Sequence, residues 1–216
     1  MAQQVSLIIP CRNEAGTIVL LLEGIRKQTF PVDQLEVIVI DGASTDGTRE
    51  LVSRFAETHR DFRLRLADNP AQSIPAALNR GIQASTGSVV IRLDADSVPE
   101  LDYIESCVET LNRTGAANVG GLWEIKPAAD TWIGRSIAAA AGHPLGAGDA
   151  RYRIRGGAGP VETVPFGAYP REWLERVGPF NEQLLTNEDY EYNLRIRRAG
   201  GVVWFDPKIR SIYFAR

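Results

Sequence analysis

Val5-Ser6-Leu7-Ile8-Ile9-Pro10 and Leu35-Glu36-Val37-Ile38-Val39-Ile40 bracket a segment in which Ile18, Leu21, Leu22 and Ile25 fall at i, i+3, i+4 and i+7. The two apolar runs predict buried strands, the first stopping at Pro10, and the spacing between them predicts an amphipathic helix. Strand, helix, strand is a β-α-β unit, which implies parallel strands and a right-handed crossover. The pattern continues downstream. Leu51, Val52, Phe55 and Ala56 make one face of a second helix, and Phe62 to Leu66 alternates apolar and basic, as an edge or one-sided strand does. Pro75 to Ala84 predicts a third helix and Val89 to Leu93 a fourth strand. A fourth helix is expected from Ser97, with Ser97 and Glu100 as its capping box and Leu101, Ile104, Val108 and Leu111 as its buried face. The fold class is therefore α/β, with a mainly parallel sheet and helices on both faces.

The second half is less regular. Asn118 to Lys126 and Val161 to Ala168 read as strands, Pro170 to Val177 and Asn187 to Ala199 as helices stopped by Gly178 and Gly200. Val202 to Phe205 and Ile209 to Phe214 read as two closing strands. Gly142 to Pro160 is rich in glycine and carries His143, Arg151, Arg153 and Arg155. It is too long for an ordinary connection and reads as either a mobile functional loop or a disordered one.

Composition narrows the function. The chain has 216 residues, 44% of them apolar, so it can fill one core and is not a disordered segment. Lys plus Arg number 24 against 27 Asp plus Glu, a net charge of −3, which argues against nucleic acid as the partner. Cys11 and Cys107 make no zinc spacing and no disulfide framework, as expected of reduced thiols in the cytoplasm. Met1-Ala2-Gln3-Gln4 does not open a signal peptide, and no apolar run approaches a membrane span.

In doubly wound sheets ligands bind beyond the carboxyl ends of the strands. Those tips read Pro10-Cys11-Arg12-Asn13-Glu14, Asp41-Gly42-Ala43-Ser44-Thr45-Asp46, Asp68-Asn69 and Asp94-Ala95-Asp96. Asp46 reads first as the cap of the next helix, and Asn13 or Glu14 can be first-turn helix chemistry. Asp94 and Asp96 would repel each other without a counter-ion, so a divalent cation or a nucleotide is one reading of the pair, and a chance acidic motif the other.

These residues together resemble the family 2 glycosyltransferases, which carry the GT-A fold, a Rossmann-like, mixed and mainly parallel sheet. The resemblance rests on Val5 to Pro10 with Asn13-Glu14, on Asp41 with Ser44-Thr45-Asp46-Gly47-Thr48, on Asn79-Arg80-Gly81, on Asp94 and Asp96, on Val164-Pro165-Phe166-Gly167-Ala168 and on Asn187-Glu188-Asp189-Tyr190-Glu191. It runs over nearly the whole chain, and the later motifs look most like bacterial exopolysaccharide enzymes of the succinoglycan type. It implies one catalytic domain over residues 1–216, with a nucleotide-binding half at 1–97 and an acceptor-side half at 98–216. It further implies a nucleotide-sugar donor, most often a UDP-sugar, and inverting transfer to a saccharide or lipid-linked acceptor.

Carried over, Pro10, Arg12, Asn13, Glu14, Asp41, Asp68, Asn79, Asp94 and Asp96 would meet the donor. Asp96, with Asp94, would hold Mn²⁺ or Mg²⁺ on the diphosphate, and Asp189 would be the general base with Glu188 beside it. His143, Arg151 and Arg153 are acceptor or lid candidates. Gly42 stands where many members have a second aspartate. Leu78 stands where an arginine often precedes Asn79, which leaves the diphosphate to the metal and to Arg12 or Arg80. The arginine-tryptophan signature of processive synthases is missing after Asp189. The resemblance places the protein in the cytoplasm or at the inner face of the membrane, with any peripheral membrane contact made through a region beyond this chain.

The residues alone leave alternatives. Thr186 to Asp189 can be a capping box with Leu185 and Tyr190 as its hydrophobic staple. Arg151, Arg153 and Arg155 would share one side of an extended segment, against a phosphate or against solvent. Trp123, Trp132 and Trp173 can stack on a sugar or fill the core. A sugar-phosphate nucleotidylyltransferase would want a basic glycine-rich loop after the first strand, which is missing. A non-catalytic nucleotide-sugar binding module is the remaining alternative, and the presence of both Asp96 and Asp189 speaks against it.

Overall fold

A computed structural model describes residues 3–143, 151–154 and 156–215. In chain order the elements are β1 (Val5–Cys11), α1 (Ile18–Arg26), β2 (Leu35–Asp41), α2 (Thr48–Thr58), β3 (Leu64–Asp68), α3 (Ile74–Ala84), β4 (Val89–Arg92), β5 (Ser97–Pro99) and α4 (Tyr103–Thr114). They continue as β6 (Asn118–Pro127), α5 (Trp132–Gly142), the single turn α6 (Arg151–Ile154), β7 (Gly159–Pro160), β8 (Ala168–Pro170), α7 (Arg171–Val177), α8 (Glu188–Arg198) and β9 (Val203–Ala215).

The strands form one mixed sheet in the order β3-β2-β1-β4-β8-β6-β9-β5, with β7 on β9. β3, β2, β1 and β4 are parallel, and β8 runs against β4. Alternation along the strands divides the core between two faces. Leu7, Ile9, Val37, Val39 and Ile91 meet α1, α2 and α4 through Ile18, Leu21, Val52, Phe55 and Ile104. Ile8, Ile38, Ile40 and Val90 meet α3, α7 and α8 through Leu78, Leu174 and Ile196. Helices thus cover both faces, as the β-α-β pattern requires. β3 is the edge, and its half-exposed alternation follows from that place.

Four expectations are corrected. Ser97 does not start a helix: Ser97–Pro99 is an edge strand on β9, and the Ser97 hydroxyl donates to the Asp94 carbonyl at 2.7 Å. Pro99 explains this, because a proline pushes the preceding residue out of the helical region. α4 begins only at Tyr103, and Leu101, expected in the core, is 59% exposed. Val161 to Ala168 is not one strand. Pairing is confined to β7 and β8, and the chain between them turns through positive φ at Phe166 and Gly167. A side chain at Gly167 would strike the Tyr169 ring.

The two closing strands are one strand, β9, whose register against β6 shifts between Gly120 and Leu122, where β9 bulges between Phe205 and Arg210. Pro207, without an N–H, sits in that bulge, and Gly121 leaves the room it needs, since a Cβ there would lie 1.8 Å from the Ile209 carbonyl. The glycine-rich stretch is bounded by helix: α5 reaches Gly142 and Arg151–Ile154 is a helical turn. Arg151 and Arg153 therefore do not alternate along an extended segment. Residues 144–150 and Arg155 lie outside the described residues.

Candidate active site

The strand order turns at β1, whose neighbours β2 and β4 are reached by crossovers in opposite directions, and a crevice opens there at the carboxyl ends. A cleft of about 290 Å³ fills it. Pro10, Cys11, Arg12 and Glu14 after β1 line one wall, and Asp94, Ala95 and Asp96 after β4 line another. Gln72 to Ile74 and Ala77, at the start of α3, close a third side.

Other donor-side candidates build the walls rather than line the cleft. The Asp41 carboxylate accepts the Ser44 N–H at 3.1 Å, the Ser44 hydroxyl at 2.5 Å and Arg49 Nη1 at 2.9 Å. Burial opposes its charge, but Ser44 and Arg49 outweigh burial and hold the carboxyl below its ordinary range. Arg49 also pairs with Asp68 at 2.8 Å, so one guanidinium joins the β2 and β3 tips. Asn13, in the left-handed region at φ 56, donates its N–H to Ser44 Oγ and accepts the Thr45 N–H. Asp46 is not the cap of α2, which is Gly47; from one residue earlier its carboxylate accepts the Thr48 N–H at 3.1 Å and the Ala15 N–H at 3.0 Å, joining the two loops. Asn79 lies outside the cleft lining and clasps the 180–182 segment: Nδ2 donates to the Phe180 carbonyl and Glu182, and Oδ1 accepts the Phe180 N–H.

The base candidate sits in a cluster of charge. Arg92, the last residue of β4, is 3% exposed at its side chain and meets three carboxylates. Nε and Nη2 grip Asp94 at 2.8 and 3.0 Å, Nη2 also donates to Glu188 at 3.0 Å, and Nη1 donates to Asp189 Oδ1 at 2.5 Å. Glu188 and Asp189 open α8, so both reach the same guanidinium from the first helical turn. Burial pushes the Asp189 carboxyl up, the neighbouring carboxylates Glu188 and Asp94 add to this, and Arg92 opposes it; the carboxyl lies at about 7. The same burial opposes the charge of Arg92, yet Asp189 and Asp94 outweigh it and keep the guanidinium firmly protonated. Asp189 is not a helix cap. Asn187 makes no capping bond with its side chain, and the expected staple is open, with Leu185 92% exposed.

Arg92 escaped the sequence reading, which looked to Arg12 and Arg80. Its signal was present: a lone cation closing an apolar strand two residues before Asp94, where side chains at i and i+2 share a face.

For a divalent cation, the structure offers a thin protein donor set. Both Asp94 oxygens are engaged by Arg92, Asp96 lines the cleft, and the described residues contain no group of three or more His, Cys, Asp or Glu side chains able to hold an ion. That set suits Mg²⁺ or Mn²⁺ held by one or two carboxylates and completed by substrate phosphates and water. His143, exposed at the end of α5, belongs to no such group. Arg153 lies over the Trp123 and Tyr152 rings at 5.8 and 5.4 Å. Trp123 stacks on Tyr213 at 4.3 Å, Trp173 packs under Arg176, and Trp132 is 73% exposed.

Glycosyl transferase family 2 matches residues 6–178 of this chain. The succinoglycan biosynthesis protein ExoA of Rhizobium meliloti is 34% identical over 213 residues, 97% of this chain and 63% of that protein. Glycosyltransferase AglE of Haloferax volcanii is 30% identical over 212 residues, 98% of this chain and 67% of that protein. The chain thus spans about two thirds of the length of these relatives. Among solved structures, the mannosyltransferase PcManGT of Pyrobaculum calidifontis, in complex with GDP-Man and Mn²⁺, superposes with a TM-score of 0.76 at 28% identity, over 98% of this chain and 57% of its own. S. aureus TarS 1-349 in complex with UDP-GlcNAc shares the fold, with a TM-score of 0.77 at 18% identity over 99% of this chain and 59% of its own. With a GT-A sheet, a crevice at its switch point and a family match over most of its length, the chain belongs to glycosyl transferase family 2.

Proposed function

We propose that this chain transfers a sugar from a nucleotide-sugar donor to a saccharide or lipid-linked acceptor with inversion at the anomeric carbon. The observation that carries this reading is the linkage of Asp94, on the wall of the cleft, to Asp189 through Arg92. Inverting transfer is one in-line displacement, which needs a base on the acceptor hydroxyl and stabilisation of the departing diphosphate. Asp189, with its carboxyl pushed up to about 7, is matched to accepting a proton near neutral pH. The nucleoside diphosphate would lie against Pro10 to Arg12 and Asp94 to Asp96, with the α3 start beside it. Mn²⁺ or Mg²⁺, held by Asp96 and the phosphates with Asp94 adjacent, would supply charge neutralisation of the leaving group. Arg12 is exposed on the cleft wall and can approach the same phosphates.

The Mn²⁺ and GDP-Man in the mannosyltransferase structure support a divalent ion and a nucleotide-sugar donor. A relative from Methanococcus voltae, 27% identical, is named as a dolichyl phosphate-linked glucuronosyltransferase, which supports a lipid-linked acceptor. No described helix is long and apolar enough to cross a membrane. Calorimetry with UDP, GDP and TDP, with and without Mn²⁺, tests the donor side. One nucleotide should bind at least ~10-fold more tightly with the ion, and Asp96→Ala should lose that increment. Binding indifferent to both EDTA and Asp96→Ala would exclude the metal assignment.

A further inference from the structure

We propose that Arg92 is a positioning residue for transfer: its guanidinium fixes the donor-side carboxylate Asp94 and the acceptor-side carboxylate Asp189 in one register and leaves Asp189 Oδ2 open to the acceptor. This rests on the reading of Asp189 as the base. The two functional carboxylates come from distant parts of the chain, one after β4 and one at the head of α8, and Arg92 is the residue that touches both. Its backbone is pinned too, since the Arg92 N–H donates to the Gly167 carbonyl at 3.0 Å. The fork is therefore held at its root by the sheet and at its tip by Asp94, bidentately, which fixes the plane of the guanidinium.

From that plane Nη1 reaches Asp189 Oδ1, and among the described residues no other hydrogen bond reaches the Asp189 carboxylate. The Asp189 side chain keeps 23% of its exposure. A base with both oxygens bonded to a cation would be less basic and more crowded toward the acceptor, and one with neither tied would sample several rotamers. One tied and one open is the arrangement that aims a base. Glu188, buried behind the cluster, takes the remaining Nη2 hydrogen at 3.0 Å and so steadies the fork as a third support. Stability alone is a weak reason for such a cluster, because buried ionic groups often recover little more than their desolvation cost when compared with an apolar packing of the same volume. Lysine could not replace the fork, since an ammonium is a point charge without the planar edge that Asp94 grips.

The test uses Arg92→Lys, Arg92→Ala, Asp189→Asn and the double variant Arg92→Lys/Asp189→Asn. Turnover is read with whichever of UDP-glucose, UDP-N-acetylglucosamine and GDP-mannose the wild-type chain consumes fastest, water being the acceptor where no sugar is added. Arg92→Lys should lower kcat by ~10²-fold, the cost of a misplacement of about 1 Å, while KM for the donor changes less than ~3-fold. Guanidinium at millimolar concentration should restore part of the rate to Arg92→Ala, and ammonium should not. In the double variant, the lysine should cost less than ~3-fold beyond Asp189→Asn, because its effect passes through Asp189.

A wild-type kcat in Arg92→Lys, or a full further loss in the double variant, overturns the proposal while leaving the base reading intact. Normal turnover by Asp189→Asn removes the base reading itself and the proposal with it. A crystal structure of Arg92→Lys gives a measure independent of turnover: Asp189 should leave its place beside Asp94, and an unmoved Asp189 carboxylate overturns the positioning role.

Discussion

Asp189 keeps its proton in the folded protein at a pH where an unfolded aspartate has lost it, since burial and the carboxylates Glu188 and Asp94 raise it from 3.8 to about 7 against the pull of Arg92. Two outcomes follow at this residue. A base must be unprotonated to act, so kcat should fall as pH drops through about 7, with a slope of one proton. A rate flat from pH 8 to pH 5 would exclude Asp189 as the base. The second outcome concerns stability. Between about pH 4 and pH 7 the native state holds a proton that the unfolded chain has released, so this group's contribution to stability falls as pH rises across that window and stays low above it. Asp189→Asn resembles the protonated side chain and cannot accept a proton. Its kcat should therefore drop by ~10²-fold or more, while its melting temperature at pH 8 stays level or rises. A clear loss of melting temperature would mean that the anion braces the fold.

At the scale of elements, Glu36 shows how the central strands are tied together. It sits on β2 beneath the sheet's amino ends, accepts the Ser6 hydroxyl of β1 at 2.6 Å, and takes the Thr86 N–H and hydroxyl at 2.6 and 2.8 Å just before β4. Burial opposes its charge, but Ser6, Thr86 and Arg65 outweigh burial and lower the carboxyl to about 2. Its stabilisation is present above the unfolded value of 4.5 and is lost as pH falls through about 2. Glu36→Ala should cost about 2–3 kcal/mol near neutral pH, because it strands the Ser6 and Thr86 donors, and should leave nucleotide affinity unchanged, as Glu36 lies at the opposite end of the strands from the cleft. Urea unfolding and UDP calorimetry check the two halves. Elements of this kind were legible in the sequence wherever a side chain's period set its face. Leu7, Ile9 and Ile8 divide by alternation, and Ile18, Leu21, Leu22 and Ile25 by helical spacing. Legibility ended where a partner distant in sequence decides. The Ser97-Glu100 box is sound local chemistry, defeated by Pro99 and by pairing with β9. Asp41 is closed by Ser44 in the turn after it and by Arg49 of α2, whereas Asn13 finds Ser44 and Thr45 in the neighbouring loop, more than thirty residues away. Arg92 looked like part of an apolar strand, because two of its three partners stand almost a hundred residues downstream.

Across the whole molecule, burial is uneven, and that sets where the fold opens. β1, β2 and β4 lie at the centre of the sheet, their residues buried on both faces between α1, α2 and α4 on one side and α3, α7 and α8 on the other. α5 buries only Gly134 and Ala138 and leaves Trp132, Ile133 and Ile137 exposed, so little apolar area holds it to β6. Amides with few buried contacts open by local fluctuation, whereas those in a sheet covered on both faces open only with the whole domain. Hydrogen exchange should therefore leave β1, β2 and β4 protected at the global limit, while α5 exchanges at least ~10²-fold faster. Nucleotide binding then separates the halves further. On the proposed reading UDP or GDP with Mn²⁺ would contact the strand tips and the start of α3, so new protection should gather at residues 10–16, 72–78 and 93–97, and α5 should be unmoved. Equal protection of α5 and β1 in the free protein would show that α5 is held by something other than its burial. Protection that spreads into α5 when nucleotide alone is added would show that this helix is coupled to the donor cleft, and that the two halves respond to the donor as one unit.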